Sequence, residues 1–560
     1  MRESLKTPPV LARDTLRIIP LGGHGDIGRN SASFEVNGEI LVLDCGVLFP
    51  DENHPGVDLI LPGLHLLSDR LDDIACLVLT HGHEDHIGAV PYLLRRRPDI
   101  PVLGSRFTLA LVREKLKEHR VRDVQLREMH EGARTTIGAF DLEFLAVNHS
   151  IPDALAVVIR TKGGTVLHTG DFKMDQLPLD GRLTDLRGFA QVGREGLDLF
   201  MVDSTNAETP GYTPYEKDIQ PAMERVFANA PAKLIVACFA SHVHRVQQVL
   251  DEAVRHGRKV CYVGRSMVRN MTLAQELGYL RVPGDTLIAL DDLEGYRDNE
   301  VVIISTGSQG EPLSALARIS NHDHPVIRAG EGDVVLLASS LIPGNENSVY
   351  RVMNGLVKNG VKVVHKGNAM VHVSGHASSG ELLYAYNLVQ PRNVMPVHGE
   401  VRHLVANAEL AIATGVAREN TVVVEDGTVV DLRDGRARVV GRLECGYVFV
   451  DGSTVDAVSD VEIDERRILG EEGFISAIAV VNLHSGLLVE GPMITARGFV
   501  DDSAAFDEVT GEVARALRQA LQDGADDTHQ LQQLIRRHIG RWVSRRYRRR
   551  PMIVPVVIST

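Results

Sequence analysis

The sequence predicts an α/β protein of three or more domains. A helix-covered sheet sandwich comes first, then an alternating strand–helix region, then a small C-terminal α/β unit. Three observations point there. The chain has 560 residues, 44% hydrophobic and 24% charged, which excludes wholesale disorder and is too long for a single core. From about Thr15 to Val202 it runs in short β-branched segments separated by Gly and Asp turns. Between about Tyr215 and Gly375 the pattern changes to regular strand–helix alternation, which favours a parallel, doubly wound sheet.

In order, the first region offers the strands LRIIPLGG, ASFEVNG, EILVLDCG, IACLVLTHGH, FLAVNHS, ALAVVIRTKGGTVLHTGD and LFMVD. Helical periodicity over Gly88 to Arg97 and Ser105 to His119 supplies cover for sheet faces. The second region alternates AKLIVACFA, KVCYVG, VVIISTGS, VVLLASS and VKVVHKG with amphipathic stretches such as HRVQQVLDEAVRHG. After Asp451 the text is linker-like over residues 451–466. The last unit, 467–560, reads as a hairpin, FISAIAVVNL to LLVEGPMI, helices over Asp507 to Gln522 and Thr528 to Val543, and a final strand, MIVPVVIS.

Sixty Lys plus Arg against seventy-four Asp plus Glu leave a formal charge of −14, so a polyanionic partner must be met by a local basic surface. Eight arginines lie between Arg536 and Arg550, interleaved with Trp542 and Tyr547. Because Leu534, Ile535, His538, Ile539 and Trp542 share a helical face, the arginines read as its solvated side. Arg95, Arg96 and Arg97 read the same way. Five scattered cysteines (Cys45, Cys76, Cys238, Cys261, Cys445) without CxxC spacing suit a reducing compartment, so cytoplasm is expected. No stretch has signal-peptide character or membrane-spanning length.

The chemistry concentrates in LVLTHGHEDHIGAV, where a strand end delivers His81, His83, Asp85 and His86 on one tight loop. Three imidazoles and a carboxylate within six residues are a metal signature, and the spacing lets one loop serve two neighbouring ions. His149 in FLAVNHSIPDA and Asp171 in VLHTGDFKMD also follow strands, and a carboxylate such as Asp171 can bridge two cations. Asp44, at the end of LVLDCG, reads as support behind the ligands.

HxHxDH, a lone His and an Asp after Gly together resemble the metallo-β-lactamase superfamily over the first 200 residues or so. The resemblance implies an αββα sandwich and two zinc ions per subunit, with manganese as the other candidate. His81, His83 and His149 would hold one ion; Asp85, His86 and a distant His would hold the other; Asp171 would lie between them. NVMPVHGE supplies the last ligand, His398. It lies 227 residues after Asp171, so the alternating segment between them is expected to be an inserted domain. The expected division is 1–215 and 376–450 for the core, 216–375 for the insert, then linker and C-terminal domain.

The insert carries three Ser/Gly/His loops directly after strands: Ser241, His242 and His244; Ser305, Thr306 and Ser308; His372, Val373, Ser374, Gly375 and His376. Small hydroxyl residues at strand-to-helix turns expose backbone N–H groups, a natural phosphate site. This layout is similar to the β-CASP branch of that superfamily, most closely its bacterial ribonuclease J family. The likeness runs nearly end to end, through GGHGDIGRN, HGHEDHIGAV, NHSIPDA, HTGDFKMD, FASHVHRVQQ, STGSQGEP, HVSGHAS, PVHGE and RRPMIVPVVI. Asp26 departs from it, standing where the opening motif carries Glu. Histidine rather than valine at 398 points to RNA rather than DNA within that branch.

The resemblance therefore implies a metal-dependent ribonuclease, a 5′-to-3′ exonuclease preferring 5′-monophosphate ends with some endonuclease activity, acting in rRNA maturation and mRNA processing or decay. Two cations about 4 Å apart can activate a shared water, neutralise phosphoryl oxygens and stabilise a departing 3′-oxygen. Asp85 and His376 are the expected catalytic residues; His372 to His376 would contact the scissile phosphate, and Ser241, His244, Thr306 and Ser308 a 5′-phosphate. Expected partners are RNA, further copies of the chain as dimer or tetramer, and other RNA-processing proteins, with no membrane. A DNA nuclease of the same branch and a small-molecule metallo-hydrolase are the alternative enzymes, and a degenerate scaffold is the non-enzymatic one.

Overall fold

The computed structural model describes residues 5–342, 344–452, 454–455, 458–500 and 503–560. They fall into two compact units, one of residues 1–49 with 60–448 and one of 50–59 with 449–560.

The first unit holds two stacked sheets. Alternation in strands such as Leu155–Thr161 sends Leu155, Val157 and Ile159 to one face and Ala156 and Val158 to the other, so both faces must be covered. On the inner side they meet Ile18, Phe34, Leu41 and Val78 of an eight-stranded sheet. On the outer side Phe200, Leu145 and Leu167 pack under Phe189, Leu382, Tyr386 and Ala411 of the helices Leu186–Glu195, Ser379–Val389 and Val401–Ala413. Helices Val90–Arg96 and Arg106–Glu118 bury Leu93, Leu94, Phe107 and Val112. Fully burying one such side chain is worth about 1.5–3 kcal/mol, which is what makes the strand register hard to slip.

The insert leaves the six-stranded sheet after Leu199–Asp203 and returns at Asn393–Val397, which pairs in parallel with that same strand. Between them lies a five-stranded, all-parallel sheet in the spatial order Lys259–Val263, Val301–Ser305, Leu234–Ala237, Val334–Leu337, Lys362–Val364. By chain order this is 2-3-1-4-5, so the winding reverses beside Leu234–Ala237, and ligand crevices of such sheets open at the carboxyl ends beside that reversal. Arg245, fully buried, braces those ends. It donates to the carbonyls of Ala338 and Val371 and pairs with Glu216, which also meets Lys173 of the core.

In the second unit the central strand Phe474–Asn482 runs antiparallel to Leu487–Arg497 and parallel to Met552–Ser559. Its buried residues, Ile475, Ala477, Ala479 and Val481, lie under Val513, Leu517, Ile535 and Trp542 of the helices Asp507–Gln522 and Thr528–Tyr547. The second helix runs past the expected Val543 and stops where Arg548 turns left-handed (φ 55°) ahead of Pro551. The stretch expected as a linker is partly regular: strand residues Thr454–Val455 and a helix, Asp460–Glu472, whose Ser459–Glu462 capping box outweighs the polar composition that suggested a tether. Residues 453, 456 and 457 of that stretch lie outside the described residues.

Candidate metal centre

Strand register assembles the site. Gly164–His168, Leu199–Asp203 and Asn393–Val397 are parallel neighbours, with His168 opposite Met201 and Asp203 opposite Val397. Their ends therefore bring Asp171, Asp203 and His398 to one edge. In the other sheet Leu43 lies opposite Val78, so Asp44 and the His81–His86 loop leave together. The approach is close enough that a Cβ on Gly46 would overlap the Asp85 carbonyl.

Three imidazole nitrogens converge first. His83 Nδ1 lies 3.1 Å from His81 Nε2 and 3.1 Å from His149 Nε2. Asp171 Oδ2 is 3.7 Å from the former and 3.6 Å from the latter. The outward nitrogens fix the tautomers. Thr80 spends its hydroxyl proton on Asp44 (2.8 Å), so its oxygen accepts from His81 Nδ1 at 3.0 Å, and the Gly375 carbonyl accepts from His149 Nδ1 at 2.7 Å. Both Nε2 lone pairs thus point inward at His83 Nδ1, which has one proton at most. Lone pairs in that arrangement suit a cation with N/O ligands.

Asp85, His86 and His398 form the second group around Asp171, with ligand atoms within 4.8 Å of one another. His86 Nε2 is 3.6 Å from Asp85 Oδ2 and 3.3 Å from Asp171 Oδ2, while its Nδ1 donates to Asp44 at 2.8 Å. His398 Nε2 lies 3.5 Å from Asp85 Oδ2. Its Nδ1 is 2.7 Å from Asp171 Oδ1, yet neither ring nitrogen makes a well-formed hydrogen bond although the residue is buried. A buried imidazole left in this state is costly unless something else engages it. The donor set fits a second cation.

Electrostatics separate the two groups. Burial, helped by neighbouring imidazoles, pushes His81 and His149 well below the usual histidine range and His83 to about 4, so all three are neutral ligands at pH 7. Burial opposes charge on His86 and His398 too, but carboxylates win there. Asp171, Asp85 and Asp44 raise His86 well above its ordinary value, and Asp171 raises His398 to about 10. Against burial, His86 holds Asp85 below the carboxylate range, and His398 with His86 does the same for Asp171. A bound cation would take the place of that positive charge.

All seven expected ligands are brought together. Asp44 stands behind two of them, through His86 and through Thr80. Asp203 went unmarked in the sequence; its Oδ2 lies 2.7 Å from His376 Nδ1, and with Asp171, His376 and His398 it forms a third cluster able to hold an ion. Its signal was its position at the end of LFMVD. Gly375 also packs against a ligand. A Cβ there would sit 2.7 Å from His149 Cε1 and Nδ1. Gly375→Ala is therefore expected to push the ring off its ligand position and weaken metal binding by roughly 10–100-fold, as displaced support around a metal ligand does, measured by metal titration of the stripped protein.

The phosphate candidates divide. Ser241, Thr306 and Ser308 follow the carboxyl ends of Leu234–Ala237 and Val301–Ser305, beside the winding reversal. Buried Ser305 Oγ and His372 Nδ1 there have no protein partner. The loop after Val334–Leu337, unmarked in the sequence, joins them. Ser340 Oγ lies 3.3 Å from His372 Nε2, and Gln309 donates to the Ser340 carbonyl at 2.8 Å, tying two loops together. His244 instead lines a recess with His149, Lys173, Asp180 and Arg182. The 372–376 segment spans both places: His372 faces Ser340, Ser374 meets Asn206 at 2.8 Å, and His376 joins the metal cluster.

Fold and site together define a metal-dependent hydrolase of the metallo-β-lactamase class with a β-CASP insert. Residues 50–212 match the beta-lactamase superfamily domain, 231–356 the ribonuclease J beta-CASP domain, 360–424 the Zn-dependent metallo-hydrolase RNA specificity domain, and 461–560 the ribonuclease J C-terminal domain. The chain is 52% identical to ribonuclease J of Mycolicibacterium smegmatis and 50% identical to that of Mycobacterium tuberculosis, with 100% of each chain covered. A solved Enterococcus faecalis V583 protein of unknown function shares the fold at TM-score 0.53 and 15% identity, over 75% of this chain and 100% of that one. The chain belongs to the ribonuclease J family, and it is a metal-dependent ribonuclease. Among the described residues no helix is long and apolar enough to cross a membrane.

Proposed function

We propose that the chain binds two zinc ions, with manganese as the alternative, and degrades RNA from the 5′ end, preferring 5′-monophosphate ends and retaining some endonuclease activity. One observation carries this: two complete ligand sets share Asp171 within a cluster that also contains His376, a residue of the same short segment as His372, which faces the insert's hydroxyl loops. When bound, paired cations activate water and neutralise phosphoryl charge. The chain's own residues do the rest. His81, His83, His149, Asp85, His86, His398 and Asp171 hold the ions. His376, oriented by Asp203, keeps a proton for the leaving 3′-oxygen. Val373 to Gly375 present backbone N–H groups to the scissile phosphate, and Ser241, His244, Thr306 and Ser308 surround a 5′-phosphate. We assign the enzyme to rRNA maturation and mRNA processing or decay in the cytoplasm, as a homo-oligomer alongside other RNA-processing proteins; five free cysteines support the compartment.

The test uses end-labelled RNA carrying 5′-monophosphate or 5′-triphosphate, with a matched DNA strand, in the presence and absence of chelator. Expected is chelator-sensitive release of mononucleotides from the monophosphate RNA, with triphosphate RNA and DNA slower. Equal cleavage of the two 5′ ends would refute the end preference, and faster cleavage of DNA would refute the substrate.

A further inference from the structure

Between Thr528 and Arg550 the chain carries eight arginines and neither Asp nor Glu, in a protein of net charge −14. The helix Thr528–Tyr547 turns Leu531, Ile535, Ile539, Trp542 and Val543 into the core of the second unit. At 100° per residue, Arg537, Arg541 and Arg545 stack on the far side, about 6 Å apart along the axis, all exposed and flanked by exposed Arg536.

Two of the eight have structural work. Arg546 pairs with Glu508 and lies over the Trp542 and Tyr547 rings; Arg549 pairs with Glu472 and lies over Phe499. The stripe does not. Arg537 and Arg545 reach only carbonyls of their own helix, Gln533 and Arg541. Among the described residues no carboxylate lies within ion-pair distance of Arg536, Arg537, Arg541 or Arg545. A merely solvated face mixes signs, as the neighbouring helix Asp507–Gln522 does with Glu508, Glu512, Arg515 and Arg518. Like charges four residues apart destabilise a helix, so an unbroken arginine row works against this one unless an anion meets it. The side chain is arginine throughout, never lysine, and guanidinium forks match phosphate oxygens.

We propose that Arg537, Arg541 and Arg545 bind the phosphate backbone of single-stranded RNA, giving the C-terminal unit a sequence-independent hold on the substrate. This rests on the ribonuclease reading for the choice of RNA as partner. Phosphate contacts release counterions, and for single strands each steepens the salt dependence of binding by about 0.7 in log K against log salt.

The experiment measures affinity of the full-length protein for an unstructured RNA by fluorescence anisotropy across a potassium chloride series, with chelator present so that nothing is cleaved. Replacing the three arginines together (Arg537→Gln, Arg541→Gln, Arg545→Gln) is expected to flatten the slope by about 2. The matching triple substitution to Lys is expected to keep the slope, which separates lost charge from lost fold. Hydrolysis of a 5′-phosphorylated dinucleotide, whose two phosphates are too few to occupy the stripe while it is cleaved, is expected to stay at the wild-type rate. An unchanged slope in the glutamine variant, or an equal fall in dinucleotide hydrolysis, overturns the proposal. Failure of the wild type to cleave any RNA would instead remove the ribonuclease reading, while the slope still reports on the stripe.

Discussion

Asp171→Asn is expected to lose hydrolysis by three orders of magnitude or more, on the order of 4 kcal/mol of transition-state stabilisation, together with bound metal. The carboxylate lies within 3.7 Å of His81, His149 and His86 and 2.7 Å from His398, so it faces both ligand groups. An amide of the same size keeps one oxygen donor and loses the negative charge that would let two cations sit side by side. His398→Ala is expected to deplete one ion and spare the other, because only the second group includes it. Elemental analysis of metal per chain, beside single-turnover RNA cleavage, separates the two. A variant at position 171 that keeps its full metal content and near-normal turnover would refute the bridging role. The metal-free protein offers a second readout. His398 is raised from 6.5 to about 10, against burial, by Asp171, so its imidazolium adds stability that is fully present below pH 6.5, as long as Asp171 stays ionised, and is lost as pH rises through about 10. Asp171→Asn is expected to flatten that decline in denaturant titrations of the stripped protein.

Ligands were readable wherever they were dense or followed a strand in a Gly-containing turn. HGHEDH needs no structure to suggest a cation, and His149 and Asp171 inherit meaning from it. Asp203 was not readable in the same way. It ends a buried run, LFMVD, where an aspartate is ordinary turn chemistry, and only the parallel pairing with Asn393–Val397 turns it toward His376. Gln309 and Ser340 were missed for a related reason: they matter because the fourth strand of the insert lies beside the first, an adjacency fixed by the reversal of winding rather than by local sequence. Alternation and helix period gave the C-terminal elements closely, since each buries one face on a small core. The helix that begins within 451–466 was not legible because its polar residues cap and clothe an exposed helix, where composition cannot separate solvated helix from tether.

His376→Ala is expected to slow RNA cleavage by about 10²–10⁴-fold while leaving the metal content unchanged, the range for removal of a general acid. Its Nδ1 lies 2.7 Å from Asp203 Oδ2, which directs the other nitrogen away. Burial opposes the imidazolium, but Asp203, and behind it Asp171, outweigh burial and raise His376 above its ordinary value, which favours the protonated ring. If that proton goes to the leaving 3′-oxygen, the rate falls as pH rises through the His376 pKa. Asp203→Asn, which lowers that pKa, makes the fall begin at lower pH. A phosphodiester whose leaving group is a nitrophenolate needs no proton, so on it His376→Ala is expected to be nearly as fast as the wild type. The residue also lies in a cluster able to hold an ion, which supplies the competing account. In that account the alanine variant loses metal and is equally slow on both substrates. The ratio of the two losses, taken with metal content, therefore separates a proton donor from a ligand, because the 2.7 Å contact with Asp203 leaves Nε2 free for either role.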